Sequence, residues 1–327
     1  MTCDSTNLKT ETKRNGEKRH SPLVGILLRL FKEKPLGTVS GIVVVLLFLV
    51  GVFANFFAPY GINDVNMGQE FQPPSLAHPL GTDEIGRDEL SRIIWGARVT
   101  MIVAILGTII STAVSAAIGM ISGYFGGITD LVIQRIVDAI MCFPVLLVLL
   151  TIVSLLGAGL FQITLTIGVL FGISGVRVVR SAVMSVKPNA YVEAAVAGGG
   201  KHNSILIRHI LPNILAPIVI LATTRMGAVI LSEASLSFLG FGIPPPNPSW
   251  GGMLSGPGRQ YMYIQPLFAI WPGLFLTISV YGINMFGDAL RDILDPRLRG
   301  GLGSYSISRG KKIMQRLKAK IKVNNSV

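Results

Sequence analysis

Charge is missing from this chain in blocks, and the blocks are as long as a bilayer is thick. Pro35–Asn63, Val99–Ile128, Ala139–Val176 and Gln260–Gly287 hold no Asp, Glu, Lys or Arg. A further apolar run follows Pro212 and is interrupted by Arg225 and Glu233. A helix crossing hydrocarbon needs about 20 mostly apolar residues, so each block is a candidate span. Only 14% of the 327 residues are charged, well below the ~25% of a soluble domain. A disordered tail, a collagen-like fibre and an ordinary soluble enzyme are disfavoured. Two cysteines, Cys3 and Cys142, form no CxxC or Cys/His cluster, which argues against a disulfide framework or a zinc site.

The Ala139–Val176 block is too long for one helix at about 1.5 Å per residue. Gly157-Ala158-Gly159 offers a turn in its middle, and two helices are expected, about Val132–Leu156 and Leu160–Val179. That gives six spans. Lys and Arg test the count: eight precede the first span, five lie in Arg177–Pro212 and ten follow the last span. With six spans all three groups fall on one side, which the positive-inside rule makes cytoplasmic. The opposite loops carry only Arg87, Arg92, Arg98 and Arg259. The net charge of +12 therefore belongs to segments beside the membrane, where contact with anionic lipid explains it better than nucleic acid does. The polar N-terminal lead is too long for a secretory signal, and the first span is expected to stay as an anchor.

The loops differ in kind. Pro59–Arg98 is a long outer connection, Gly123–Asp130 a short inner turn, and Gly240–Pro266 an outer loop whose Pro244–Pro246 exclude helix locally. The tail segment Lys311–Val323 can form an amphipathic surface helix. The inner segment SVKPNAYVEAAVAGGGKHNSILIRHILPN is the most informative. Asn189 is placed to cap a helix over Ala190–Ala197, Gly198-Gly199-Gly200 breaks it, and Asn203 or Ser204 can cap a second short helix to Leu211. From the residues alone, this is either a packed connector or a surface for a partner. It is not a phosphate-binding loop. Counting back from Gly200-Lys201 puts Ala195 where the first glycine belongs, and His202 stands where Ser or Thr is needed. No GxSxG, HExxH or paired-carboxylate arrangement fits the topology, so no catalytic residue is expected. His20, His78, His202 and His209 are too scattered for a metal site.

Glu193-Ala194-Ala195, Gly199 and Leu211-Pro212 resemble the EAA loop of ABC-importer permeases. That pattern commonly has Ile where this chain has His209, and RHILPN is similar to the dipeptide/oligopeptide/nickel branch. HPLGTDEIGRDELSRIIWGAR (His78–Arg98), with Gly81, Asp83, Gly86, Arg87 and Asp88, resembles the outer signature of that branch, and PPNPSWGGML and DPRLRG resemble its later segments. The resemblance runs from about Pro35 to Gly300. It implies an all-α, six-span, type-1 permease of the C type that imports peptides, or alternatively nickel or another small solute. The implied partners are a related B-type permease, two ATPase subunits carrying ATP and magnesium, and an extracytoplasmic binding protein. This chain would bind no cofactor. Its setting would be a bacterial or archaeal plasma membrane, with both termini cytoplasmic. The helix around Glu193–Gly199 would be the element that docks on an ATPase.

The expected organisation is a basic tail (1–35), first span and outer loop (36–97), a five-helix core (98–287) with its inner loop (180–212), and a basic tail (288–327). Arg225 and Glu233, eight positions apart, would lie some two turns and about 80° from each other, too far round to pair directly. Each either lines a pathway or meets the second permease, or else snorkels or bonds within the chain. Asp83, Arg87 and Asp88 either contact the binding protein or cap the helix Asp88–Trp95. A secondary transporter and a structural scaffold are the rival functions, and neither needs an EAA-like loop.

Overall fold

The computed structural model describes residues 29–65 and 70–294. The remainder of both basic tails, the DPRLRG motif and the Lys311–Val323 segment lie outside the described residues. The regular structure is α-helical, with a single bridge between Thr82 and Asp88 among the described residues. The first span is α1 (Pro35–Val52), whose Pro35 suits a first helical turn, and the short α2 (Ala54–Phe57) follows it. Then come α3 (Glu89–Phe125), α4 (Gly127–Met141), α5 (Val145–Leu156) and α6 (Leu160–Val186). After the inner loop run α7 (Ala190–Ala197), α8 (His202–Ile205), a π-turn (Leu206–Ile210) and α9 (Leu211–Phe238). The outer α10 (Trp250–Leu254) and α11 (Gly256–Tyr261) lead to α12 (Leu267–Leu294).

Three expectations shift. Val132–Leu156 is not one straight helix, because α4 and α5 meet at an 87° bend. Pro144 causes it: the residue before a proline avoids the α region, and the ring removes an N–H from the ladder. The second span starts at Glu89, ten residues before its charge-free window, so Asp88–Trp95 is its first turns and not a separate helix. Lys201, not Asn203 or Ser204, occupies the cap position before α8.

Glycines set the helix packing. A Cβ at Gly172 would lie 2.6 Å from Val114 Cβ, and one at Gly168 would lie 2.7 Å from Ile110 Cβ. Further along, Gly119 and Gly123 on α3 face Val179 and Val183 on α6 at 2.7 and 2.8 Å in the same sense. Each helix thus presents glycines four apart to branched residues four apart, so the backbones approach closely. Ser115 Oγ donates to the Gly172 carbonyl at 2.7 Å across the seam. The numbers rise together on both helices, so α3 and α6 run parallel. The chain between them must return across the membrane, which makes the bent α4–α5 pair one crossing and the total six.

By the same logic α1 and α12 are antiparallel: Gly37 abuts Ala289, Gly41 Phe286 and Gly282 Val44. Lys34 Nζ binds Asp292 Oδ2 at 2.6 Å, so the first turn of α1 and the last turn of α12 share one side. The bent pair is tied to α6 by Arg180, which grips both Asp130 oxygens at 2.5 and 2.6 Å, and by the Arg177–Asp138 ion pair.

Gly172→Val should force α3 and α6 apart and destabilise the chain by about 1–3 kcal/mol, read as a lower thermal midpoint in detergent. Gly273→Ala, where the nearest atom is 3.8 Å away, should leave the midpoint nearly unchanged. Equal effects would contradict the glycine seam.

Candidate functional site

The inner ends of α3 and α6 carry α7 on a small rigid platform. α7 buries only Val192, against Val179, Val183, Ile205 and Ile210, with Ala195 packed beside it. These two positions are three apart and share a face. Ala194 and Ala197 on the far side are exposed, as are Tyr191, Glu193 and Val196 on the flanks. Asn189 sits at the cap position of α7, but its side chain accepts no capping bond. Gly199 has φ +73 with open space around it, the left-handed region that glycine enters without strain. The chain turns there into α8.

Tyr124 organises the platform. Its hydroxyl meets His202 Nδ1 at 2.9 Å, its carbonyl accepts from Lys187 Nζ at 2.8 Å, and the Phe125 ring packs edge-on against His202. A groove of about 790 Å³ lies between this platform and α7, lined by Tyr124, Lys187, Glu193, Val196, Ala197 and His202 among others. Of the residues singled out in the inner loop, Glu193 lines the groove, Ala194 faces solvent and Gly199 makes the turn. Leu211 and Pro212 lie apart from it, at the start of α9, where Leu211 packs on the same apolar cluster. Pro212 explains the π-turn before it. Its missing N–H and its ring disturb the ladder four residues back, and Asn213 Nδ2 donates to the His209 carbonyl at 2.7 Å there. Sequence alone does not mark Tyr124 or Lys187, and it weighs His202 only against a phosphate-binding loop and a metal site. The Tyr-Phe-Gly-Gly that ends the second charge-free window was the available signal.

The outer signature folds into a self-contained turn. Asp83 is fully buried: Oδ1 accepts from the Ile85 and Arg87 amides at 3.0 and 2.8 Å, and Oδ2 from Arg87 Nε at 2.5 Å. Gly81 and Gly86 supply positive φ of 88° and 78°. Asp88 caps α3 through the Ser91 amide at 2.7 Å and holds His78 Nδ1 at 3.0 Å. Both aspartates thus serve the loop and the helix start. Burial, and next the neighbouring Asp83, push the Glu84 carboxyl above its ordinary value.

Arg225 and Glu233 do not meet. Arg225 donates to Ser174 Oγ and lies 5.6 Å from the Phe171 ring centroid. Glu233 is fully buried and accepts from Ser237 at 2.7 Å, beneath Ser249 and the start of α10. There Trp250 fills a socket over Gly96 and donates to the Ile93 carbonyl at 3.0 Å. Among the described residues no group of three or more His, Cys, Asp or Glu could hold a metal.

Residues 115–300 match the family described as the inner-membrane component of binding-protein-dependent transport systems, and residues 22–74 match the N-terminal transmembrane domain of oligopeptide transport permease C. The chain belongs to this family of type-1 ABC-importer permeases, on its C-type branch. It is 37% identical over 272 residues to the dipeptide transport permease DppC of Alkalihalophilus pseudofirmus, covering 82% of this chain and 88% of that one. It is 36% identical over 273 residues to the glutathione transport permease GsiD of Escherichia coli, covering 83% and 90%. Among solved structures it is similar to inward-facing forms of the MetNI methionine ABC transporter, at 21% identity and a TM-score of 0.48 over 63% of this chain and 95% of that one. Permeases of this family are not enzymes, and ATPase activity lies on separate subunits.

Tyr124→Phe removes one hydrogen bond worth about 1 kcal/mol, so amide exchange across Ala190–Ile205 should quicken roughly fivefold. Unchanged exchange, measured by mass spectrometry, would show that the Tyr124–His202 contact does not hold the inner loop.

Proposed function

We propose that this permease imports peptides and that α7 with its Gly199 turn transmits the ATPase cycle to the spans. The observation that carries the reading is an exposed helix of small residues fixed to the membrane bundle by one face only. A protein that needed this segment merely as a connector would gain by burying it. Instead Ala194 faces solvent, and Glu193, Val196 and Ala197 are exposed along an open groove, where small side chains let a partner backbone come close. The relatives named for dipeptide and glutathione transport support the peptide class.

In this reading two ATPase subunits, with ATP and magnesium, dock one on each permease of a heterodimer with a B-type partner. A binding protein delivers cargo to the outer face, and both termini lie in the cytoplasm. Closure of the ATPase dimer pushes α7. Val192 and the Tyr124–His202 contact pass the displacement to α3, α6 and α9, whose inner ends meet at that platform. The chemistry this chain supplies is mechanical: a rigid-body switch between access states, driven because ATP and the loaded binding protein each favour one of them. Arg225, inside α9 with no carboxylate in ion-pair range among the described residues, and Glu233 further along the same helix are assigned to the pathway or the contact with the second permease. The outer turn Gly81–Asp88 frames the surface that meets the binding protein.

Gly199→Asp should leave the complex assembled but uncouple ATP hydrolysis from uptake, because charge and bulk enter the docking contact. Gly199→Asn, which tolerates the left-handed backbone nearly as well, should retain most coupled uptake of a labelled dipeptide by reconstituted vesicles. Full coupling in the Asp variant would refute the role of this turn.

A further inference from the structure

The first span touches its neighbours at different heights. Through Gly37, Gly41 and Val44 it lies along α12, and towards its end Leu47 joins the apolar cluster of Ala97 and Met101 on α3 and a Cβ at Gly51 would come within 3.0 Å of the Arg98 backbone. Between α1 and α3 this leaves a wedge of about 550 Å³, walled by Phe48, Met101, Ile102, Ile105 and Leu106 and headed by Arg98. Phe48, Val52 and Leu106 are all exposed there, so the wedge opens outward into the bilayer.

Arg98 is held in place. Nε donates to the Gly51 carbonyl at 2.9 Å, Nη2 to the Val52 carbonyl at 2.8 Å, and the guanidinium lies 4.7 Å from the Trp95 ring centroid. None of these bonds uses Nη1, and among the described residues no carboxylate lies in ion-pair range of Arg98. The residue stands immediately before the charge-free window, and a Trp one turn earlier is a usual marker of the headgroup level.

We propose that the wedge binds one anionic phospholipid, its phosphate on Arg98 and an acyl chain along Ile102, Ile105 and Leu106. Three features select this occupant. An apolar wedge facing hydrocarbon offers too few polar partners to hold water. Its wall from Arg98 to Leu106 is about 12 Å long, enough for the upper half of an acyl chain. Its head carries a fixed positive charge that lacks a counter-ion, and guanidinium pairs well with phosphate.

The test uses the full chain purified with its partner subunits in mild detergent and exposed to mixed micelles of equal phosphatidylglycerol and phosphatidylcholine. Native mass spectrometry counts the lipid retained. The wild type should retain phosphatidylglycerol over phosphatidylcholine by about fivefold, the effect of one interfacial cation. Arg98→Gln should lower the retained phosphatidylglycerol by one molecule and leave phosphatidylcholine unchanged. The basic tails also attract anionic lipid, so Ile102→Trp, which fills the wedge and leaves Arg98 intact, isolates the site: it should remove one retained phosphatidylglycerol without lowering the thermal midpoint. Equal retention of both lipids by the wild type would overturn the proposal. So would unchanged retention in Ile102→Trp, or a cross-link from a cysteine at position 102 to the partner permease in place of lipid.

Discussion

The close approach of α3 and α6 is the constraint from which the other positions follow. Gly168 and Gly172 receive Ile110 and Val114, and Gly119 and Gly123 receive Val179 and Val183. In hydrocarbon no hydrophobic effect drives helices together, so van der Waals contact at short range has to do it. Two reciprocal glycine pairs give that contact over the length of the seam and fix its register. Parallel α3 and α6 then oblige the bent α4–α5 pair to make the return crossing, and they bring Tyr124 and Val183 to the same inner edge.

The inner platform inherits its rigidity from that seam. Val192 enters a cluster whose other members come from α3, α6, α8, the π-turn and α9, so one helix of eight residues rests on several separate parts of the bundle. Pro212 bears on the same point from the other side, since the π-turn it induces sets how α8 enters α9. An exposed helix on a stiff base is suited to carry a push. The outer face is built oppositely. There Asp83, Asp88 and Glu233 are buried in local hydrogen bonds, and Trp250 locks α10 against α3. Charge on that side stabilises the loops, whereas on the inner side Arg180 and Arg177 tie the bent pair to α6 and Glu193 is left exposed on α7.

Much of this was legible in the sequence. The charge-free blocks located the spans, and the Lys and Arg distribution chose six over five, because both rest on the cost of placing charge in hydrocarbon. The helix–glycine–helix of the inner loop was readable because Gly199 and its neighbours break a run of helix formers. Less was readable where tertiary contacts decide. Glu89 and Arg92 read as part of a short separate helix before the charge-free window, yet they are the first turns of α3 itself because the folded outer turn encloses them. The bend at Pro144 was hidden by an unbroken apolar run that reads equally as one helix. Tyr124 gave little sign of its role, since its partners His202 and Lys187 are more than sixty positions away.

The central claim is that α7 is the contact through which the nucleotide cycle reaches the membrane helices. A photo-cross-linking residue placed at position 194, on the exposed face of α7, tests it most directly in the intact complex. Irradiation should join this chain to an ATPase subunit, with a yield that changes when ATP is trapped against hydrolysis. The same probe at position 161, on the exposed Phe161 at the far end of α6, should give no such adduct. Equal capture from both positions, or none from 194 in a complex that hydrolyses ATP, would contradict the account.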